Sequence, residues 1–388
     1  MAFQVSPGVL VQERDLTNVI PAVATTIGAV AGQFSQGPMD EVTSISSEKE
    51  LVETFGKPDS TTFEYFFSAA SFLQYSSSLR VVRAANSGSV NAVVSGTALQ
   101  IKNTDHYQNG DGSTGPYNTG SANVGEWAAR TAGAWGNSLQ VSVCPSATAY
   151  EETNKTTTND SSISIGDTTL TLTSGTDFNV GDIINFGETG GHEYRITAVS
   201  SNDITFVRHP SGTGGLHTAL AGGTQVRRRW RYYDLVDKAP GTSTYTSTRS
   251  GANDEMHIVV IDEDGGITGT AGEVLEVYDS VSKASDAKTA QGDSNYYADV
   301  IYNKSQYIYW MDHNTGGSNW GSTASGTTFT AVDSPFVDSL VSGADGSAVT
   351  TAEMKTAYEK FADGDTLDVN LIIAGKGDAT HIDNLITI

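Results

Sequence analysis

The sequence predicts an α+β multidomain chain: a discontinuous mixed α/β core interrupted by an inserted all-β unit, a small barrel or sandwich. Three observations carry this. Apolar residues at helical spacing alternate with short apolar runs near the N-terminus and again after residue 255. Between them, ISIGDTTLTLTSGTDFNVGDIINFG and HEYRITAVSSNDITFVRH alternate apolar with polar residues. Turn residues punctuate that stretch about every eight to twelve positions, the spacing of a small barrel or sandwich. Gly numbers 41 in 388 residues and charged residues reach only 17%, a mix that favours short strands and turns over long helices.

In chain order, residues 1–20 read as an extended arm, with Val5, Val9 and Val11 around Pro7-Gly8. Residues 25–33, TTIGAVAGQ, are small and apolar on both faces, as in a buried strand. In SISSEKELVETFG, Ser46 or Ser47 can cap a helix, Glu50 completes a capping box with Ser47, and Gly56 stops it. Phe63, Phe66, Phe67, Ala70 and Leu73 predict a helix over about 62–75, and LRVVRAA a strand over 79–85. Residues 21–95 form the first part of the core. The segment 96–157 contains a polar loop at 103–123 and a strand at 137–144. Residues 158–226 are the inserted β unit, set off by polar linkers and expected to protrude.

The core resumes over 227–388. MHIVVI at 256–261 and 272–282 read as strands, 295–302 as helix, 306–311 as strand, 352–362 as helix and VNLIIA at 369–374 as a buried strand. On this reading 21–86 and 255–388 are halves of one domain. HIDNLITI opens a further helix, and a βα unit normally continues to another strand. The chain is therefore expected to be a fragment, or to have a disordered remainder.

The net charge of −23 argues against a general basic field for DNA or an anionic membrane. Cys144 is the single cysteine, so an intrachain disulfide and a cysteine metal cluster are excluded. The N-terminus lacks the pattern of a signal peptide, and no run approaches the ~18 apolar residues of a membrane helix.

Catalytic sets are not evident. The seven histidines are scattered without HExxH spacing, and neither GxSxG nor a P-loop occurs. GDGSTG at 110–115 matches GxGxxG by letter but lies in polar loop sequence. Asp262-Glu263-Asp264-Gly265-Gly266 could bind a hard cation, yet it follows a strand directly, where Asp-Gly makes a tight turn. Arg227, Arg228, Arg229 and Arg231 form the one basic cluster. In an acidic chain they are expected to pair with carboxylates, within the subunit or across an interface between subunits.

Ordered motifs supply a resemblance. SPGV at 6–9 with Glu13, AGQFSQGP at 31–38, ELVETFG at 50–56, FLQY at 72–75 and LRVVRA at 79–84 resemble the N-terminus of contractile bacteriophage tail sheath proteins of large myoviruses. GAWGN at 133–137, APGTS at 239–243, DEMHIVVIDEDGGITG at 254–269, VLEVYDSVS at 274–282 and NYYADVI with KSQYIY at 295–309 continue it. The resemblance implies a structural subunit, not an enzyme, without cofactor or metal. It implies stacked homohexameric rings forming a helical sheath around a tail tube protein, with baseplate and tail terminator proteins as further partners. It also implies placement in the virion tail after assembly in the host cytoplasm. Contraction would drive the tube into the host. An N-terminal arm, here Ser6, Pro7, Gly8, Val9 and Val11, would donate a strand to a neighbour. The C-terminal domain of the family is not recognisable, so this chain is expected to be monomeric or weakly associated. The alternatives are a β-rich surface adhesin or carbohydrate-binding protein, and a hydrolase drawing on His257, Asp262 and Asp264.

Overall fold

The computed structural model describes residues 26–388 apart from 177, 365 and 366. Three bodies, each with its own apolar core, follow from the patterns above.

The first body is built on β1, Gly28–Gly32, whose sequence GAVAG is buried throughout. Small residues allow close cover: a Cβ on Gly28 would lie 2.6 Å from the Phe72 ring, and one on Gly32 2.7 Å from Tyr65. Both aromatic residues belong to α2, Phe63–Leu73. The sheet order is β18-β1-β3-β2, with β2 at Val42–Ile45, β3 at Leu79–Arg83 and β18 at Leu371–Ile373. β1 is parallel to β3 and to β18, and β2 is antiparallel to β3. Helix α1, Glu48–Phe55, starts at Ser47, whose hydroxyl accepts from the Glu50 N–H, and ends at Gly56 with φ 82°. Glu50 closes back onto Ser46 rather than Ser47, accepting from its N–H at 2.8 Å and its hydroxyl at 2.7 Å. The return segment adds α7, Thr351–Tyr358, whose Met354, Ala357 and Tyr358 complete this core, and α8, Ala379–Thr387.

The expected buried strand at 369–374 is instead a sheet edge. Leu371 is 46% exposed because β1 is its only neighbouring strand among the described residues.

The second body holds the largest core. Its sheet runs β14-β13-β6-β16, antiparallel throughout, from Glu273–Ser282, Glu255–Asp262, Leu139–Cys144 and Phe336–Ser339. β13, EMHIVVID, is buried along its whole length, as expected for a central strand covered on both faces. A pair of short strands, β5 (Trp127–Ala129) and β15 (Ile308–Trp310), and the helices α3 (Thr104–Asn109), α5 (Thr244–Ser247) and α6 (Tyr297–Lys304) surround it. Helix α3 lies within the stretch read as loop; Asn103 caps it by accepting from the His106 N–H. Residues 255–340 thus belong to this body, and only the segment from Val349 onward shares the first core. The two-sided apolar strand β13 finds its partner in β6 rather than in the first sheet.

The third body is one antiparallel sheet in the order β7-β12-β9-β10-β11-β8: Glu151–Thr157, Gln225–Arg229, Ile183–Asn185, Glu193–Ser200, Asp203–His209 and Thr169–Thr171. Its outer strands are themselves joined, since Asn159 N–H donates to the Thr171 carbonyl and Thr173 N–H to that of Thr157, both at 2.8 Å. The sheet thereby curls around Leu170, Leu172, Ile184, Phe186, Tyr194, Ile196, Ile204, Phe206 and Val226. The polar–apolar alternation locates most of this core, although Val180 is 55% exposed. Strands β7 and β12 extend the sheet beyond 158–226 at both ends, and α4, Ala147–Tyr150, joins β6 to β7.

The first and second bodies are joined where the chain crosses twice. β4, Ser89–Val90, and β17, Ala344–Asp345, pair side by side at that crossing.

Candidate interaction surfaces

Ser6, Pro7, Gly8, Val9 and Val11, the expected strand-donating arm, lie outside the described residues. The arginine cluster is described in full, and its members separate. On β12 the side chains alternate: Arg227 is exposed and Arg228 is buried. Arg228 donates to the carbonyls of Thr148 at 3.4 Å and Asp333 at 3.3 Å, and lies 3.7 Å from Glu152. Arg229 pairs with Glu193 at 2.9 Å and Glu151 at 3.3 Å and stacks on Tyr233. Arg231 stacks on Tyr232. Of the two alternatives expected, pairing within the subunit is the one seen for Arg228 and Arg229, whose carboxylate and carbonyl partners are within the chain. Period-two alternation on a strand was the signal that separates 227 from 228.

Asp182, 1% exposed, lies in the same electrostatic environment. Burial pushes its carboxyl up to about 7, against the Asn179 N–H it accepts and the cations Arg228, Arg231 and Lys155. The folded state therefore holds a proton that the unfolded chain releases near pH 4. This contribution to stability is fully present below that value and is lost as pH rises through about 7. Asp182→Asn is expected to flatten this pH dependence. Melting curves of the two proteins at pH 5 and 8 check it: the variant should gain relative to the parent at pH 8, by a few kcal/mol at most.

The residues considered for chemistry are engaged in structure. Asp262, fully buried, accepts from the hydroxyls of Ser138 and Thr268 and from the N–H groups of Gly265, Ile267 and Thr268. These bonds hold its carboxyl below the ordinary range in spite of burial. Asp264 accepts from the Gly266 N–H and lies against the same Ser138 hydroxyl, whose single proton the two carboxylates share. The segment is a tight turn whose backbone donors neutralise the carboxylate. His257 donates from Nε2 to the Lys238 carbonyl at 2.9 Å, while Nδ1 accepts from the Ser280 N–H at 2.9 Å. Burial holds its pKa below that of a free imidazole. Among the described residues no group of three His, Cys, Asp or Glu side chains could hold a metal ion. GDGSTG is a turn in which Asp111 accepts from the N–H groups of Ser113 and Thr114.

Exposed apolar side chains gather on the first body: Phe63 and Phe67 on α2, Leu371 and Ile372 on β18, Ile382 and Ile386 on α8. Exposed large apolar side chains of this kind are candidate contact points. Sequence reading placed the Phe residues on a helix but not on its outer face.

Residues 25–84 match a family model described as the N-terminal region of domain III of tail sheath protein Gp18. The tail sheath protein of Enterobacteria phage T4 is 42% identical over 79 residues, 20% of this chain and 12% of that protein. The tail sheath protein of Salmonella phage ViI is 27% identical over 340 residues, 79% of this chain and 49% of that protein. Over these stretches the chain is similar to bacteriophage tail sheath proteins. The longer sheath alignment thus spans about half of the relative's length. A solved sheath tail protein, Lin1278 from Listeria innocua, aligns over 94% of this chain and 43% of its own, at 10% identity and a TM-score of 0.37. The sheath family match covers β1, β2, β3, α1 and α2, and so falls on the first body, where the exposed aromatic residues of α2 lie.

Proposed function

We propose that the chain is a structural subunit of a contractile phage tail sheath. Collinear similarity to a sheath protein over 340 residues is the observation that carries this reading. In it, subunits assemble as stacked hexameric rings around a tail tube protein, between baseplate and terminator proteins, and contract to drive the tube through the host envelope. The role is mechanical, and the committed side chains of His257, Asp262 and Asp264 are consistent with it. The first body, with a β18 edge unpaired among the described residues and its apolar exposure, supplies contacts to neighbours. The third body, reached from one side of the second body, serves as a protruding inserted domain. Assembly takes place in the host cytoplasm and the product resides in the virion tail.

Negative-stain microscopy of the complete gene product tests the reading. Tubes with a regular axial repeat support it. A protein that stays dispersed at high concentration, with or without tube protein, would remove it.

A further inference from the structure

The junction between the first and second bodies has the form of a joint. Each body closes its own apolar core, and no core cluster among the described residues spans both. Among the described residues the chain passes between them at residues 85–90 and 343–348, and the two passages run together as the β4/β17 ribbon, with Ala344 opposite Val90 and Asp345 opposite Ser89. Two paired residues per strand are a short ladder. It is fastened on its second-body side, where the Ala134 N–H donates to the Asp345 carboxylate and Asn137 Nδ2 to the Gly343 carbonyl, so rotation is about the segment toward the first body. Glycines stand on it where side chains cannot. Gly346 has φ 75°, and a Cβ there would lie 2.3 Å from the Asn86 side-chain oxygen.

Away from the ribbon, the bodies touch through polar groups on the β1–β2 loop. Arg83, at the end of β3 and 2% exposed, donates from one guanidinium nitrogen to the carbonyls of Gly37 at 2.9 Å and Ala132 at 2.8 Å. Its other terminal nitrogen reaches the Ser35 carbonyl at 3.4 Å. The Gly37 N–H donates to the Thr131 hydroxyl at 3.3 Å, and Met39 N–H donates to the Lys102 carbonyl at 2.7 Å. Asn103 returns a bond to the Met39 carbonyl at 2.9 Å. Arg83 thus ties the loop of the first body to residue 132 of the second, beside the backbone bonds of Gly37 and Met39. A guanidinium fork suits this role because several donors are fixed in one plane.

We propose that the β4/β17 ribbon is a hinge between the first and second bodies, and that Arg83 is the latch holding it closed. The inference is independent of the assembly reading above, since it concerns one subunit. Opening requires Arg83 to leave the Ala132 carbonyl, and the Gly37 and Met39 bonds beside it to part, while both cores stay intact.

Hydrogen exchange on the intact chain tests the hinge without any substitution. Amides of 86–91 and 343–348 should exchange at least about tenfold faster than those of β1, β3 and β13; protection equal to that of the core strands would overturn the hinge. The latch is tested with Arg83→Lys, which keeps the charge and loses the fork. Spin labels at Lys49→Cys in the first body and Lys288→Cys in the second read the distance between the bodies, with the buried Cys144 left in place. The variant should broaden or shift that distance while core amides keep parental exchange. A distance distribution superimposable on the parent, or acceleration spread evenly through both cores, overturns the latch.

Discussion

Arg228→Met is expected to destabilise the protein by about 3–5 kcal/mol, the cost of removing one partner from a buried charged network, whereas Arg227→Met stays within about 0.5 kcal/mol. The residues are adjacent, and the difference arises only from the pleat of β12. Arg228 is 1% exposed and serves the carbonyls of Thr148 and Asp333 as well as Glu152. Its loss takes a donor from the Thr148 and Asp333 carbonyls, leaves Glu152 with Lys155 alone among the described residues, and leaves the buried Asp182 beside one cation fewer. Arg227 points to solvent on the opposite face. Chemical denaturation of the two variants checks the contrast. Equal and small losses for both would show that the cluster is surface decoration. In an assembly the expectation reverses: of the two, Arg227 is the one open to a neighbour's carboxylate.

The second large effect is at β1. Gly32→Val is expected to cost about 3 kcal/mol or more, at the upper end of the range for overpacked cores. The ideal Cβ at position 32 falls 2.7 Å from the Cβ and ring carbons of Tyr65. Tyr65 is 8% exposed and held by α2 on the sheet, so the helix must shift as a unit. The damage should be local at first: near-neutral for the third body, whose core shares no residue with the first. Hydrogen exchange resolves this, with α2, β1 and β3 losing protection and β10 and β11 retaining it. A small loss spread over all bodies would mean that the helix does not rest on this strand.

How much of this was legible before folding depends on range. The capping serine at 47, the stop at Gly56 and the small-residue strand GAVAG are local signals, and the structure realises each, with Glu50 answering Ser46 in place of Ser47. Alternation found most of the curled sheet's core, because its strands cover one face only. Long-range facts were not legible. The run VNLIIA reads as buried, and whether a second neighbour covers β18 is decided by sheet order, not by its own letters. Likewise β13 looks like a partner for the first sheet until β6, more than a hundred residues earlier, takes it. The burial of Arg83 and Arg228 is not legible in the sequence, because it depends on carbonyls brought by distant loops. Of the interaction residues, the arginine cluster was found by composition; its division into exposed and buried members needed the pleat and its partners. The spacing of Phe63, Phe66 and Phe67 predicts a helix but not which face is inward, because apolar residues stand on several of its faces.

The sheath reading is tested most directly by cryo-electron microscopy of virions whose copy of this chain carries a small protein tag in the exposed 211–214 turn. The account predicts tag density repeating in rings along the whole tail, outside the tube, and drawing closer together axially after contraction. Tag density confined to one end of the tail, or absent from tails, would contradict it.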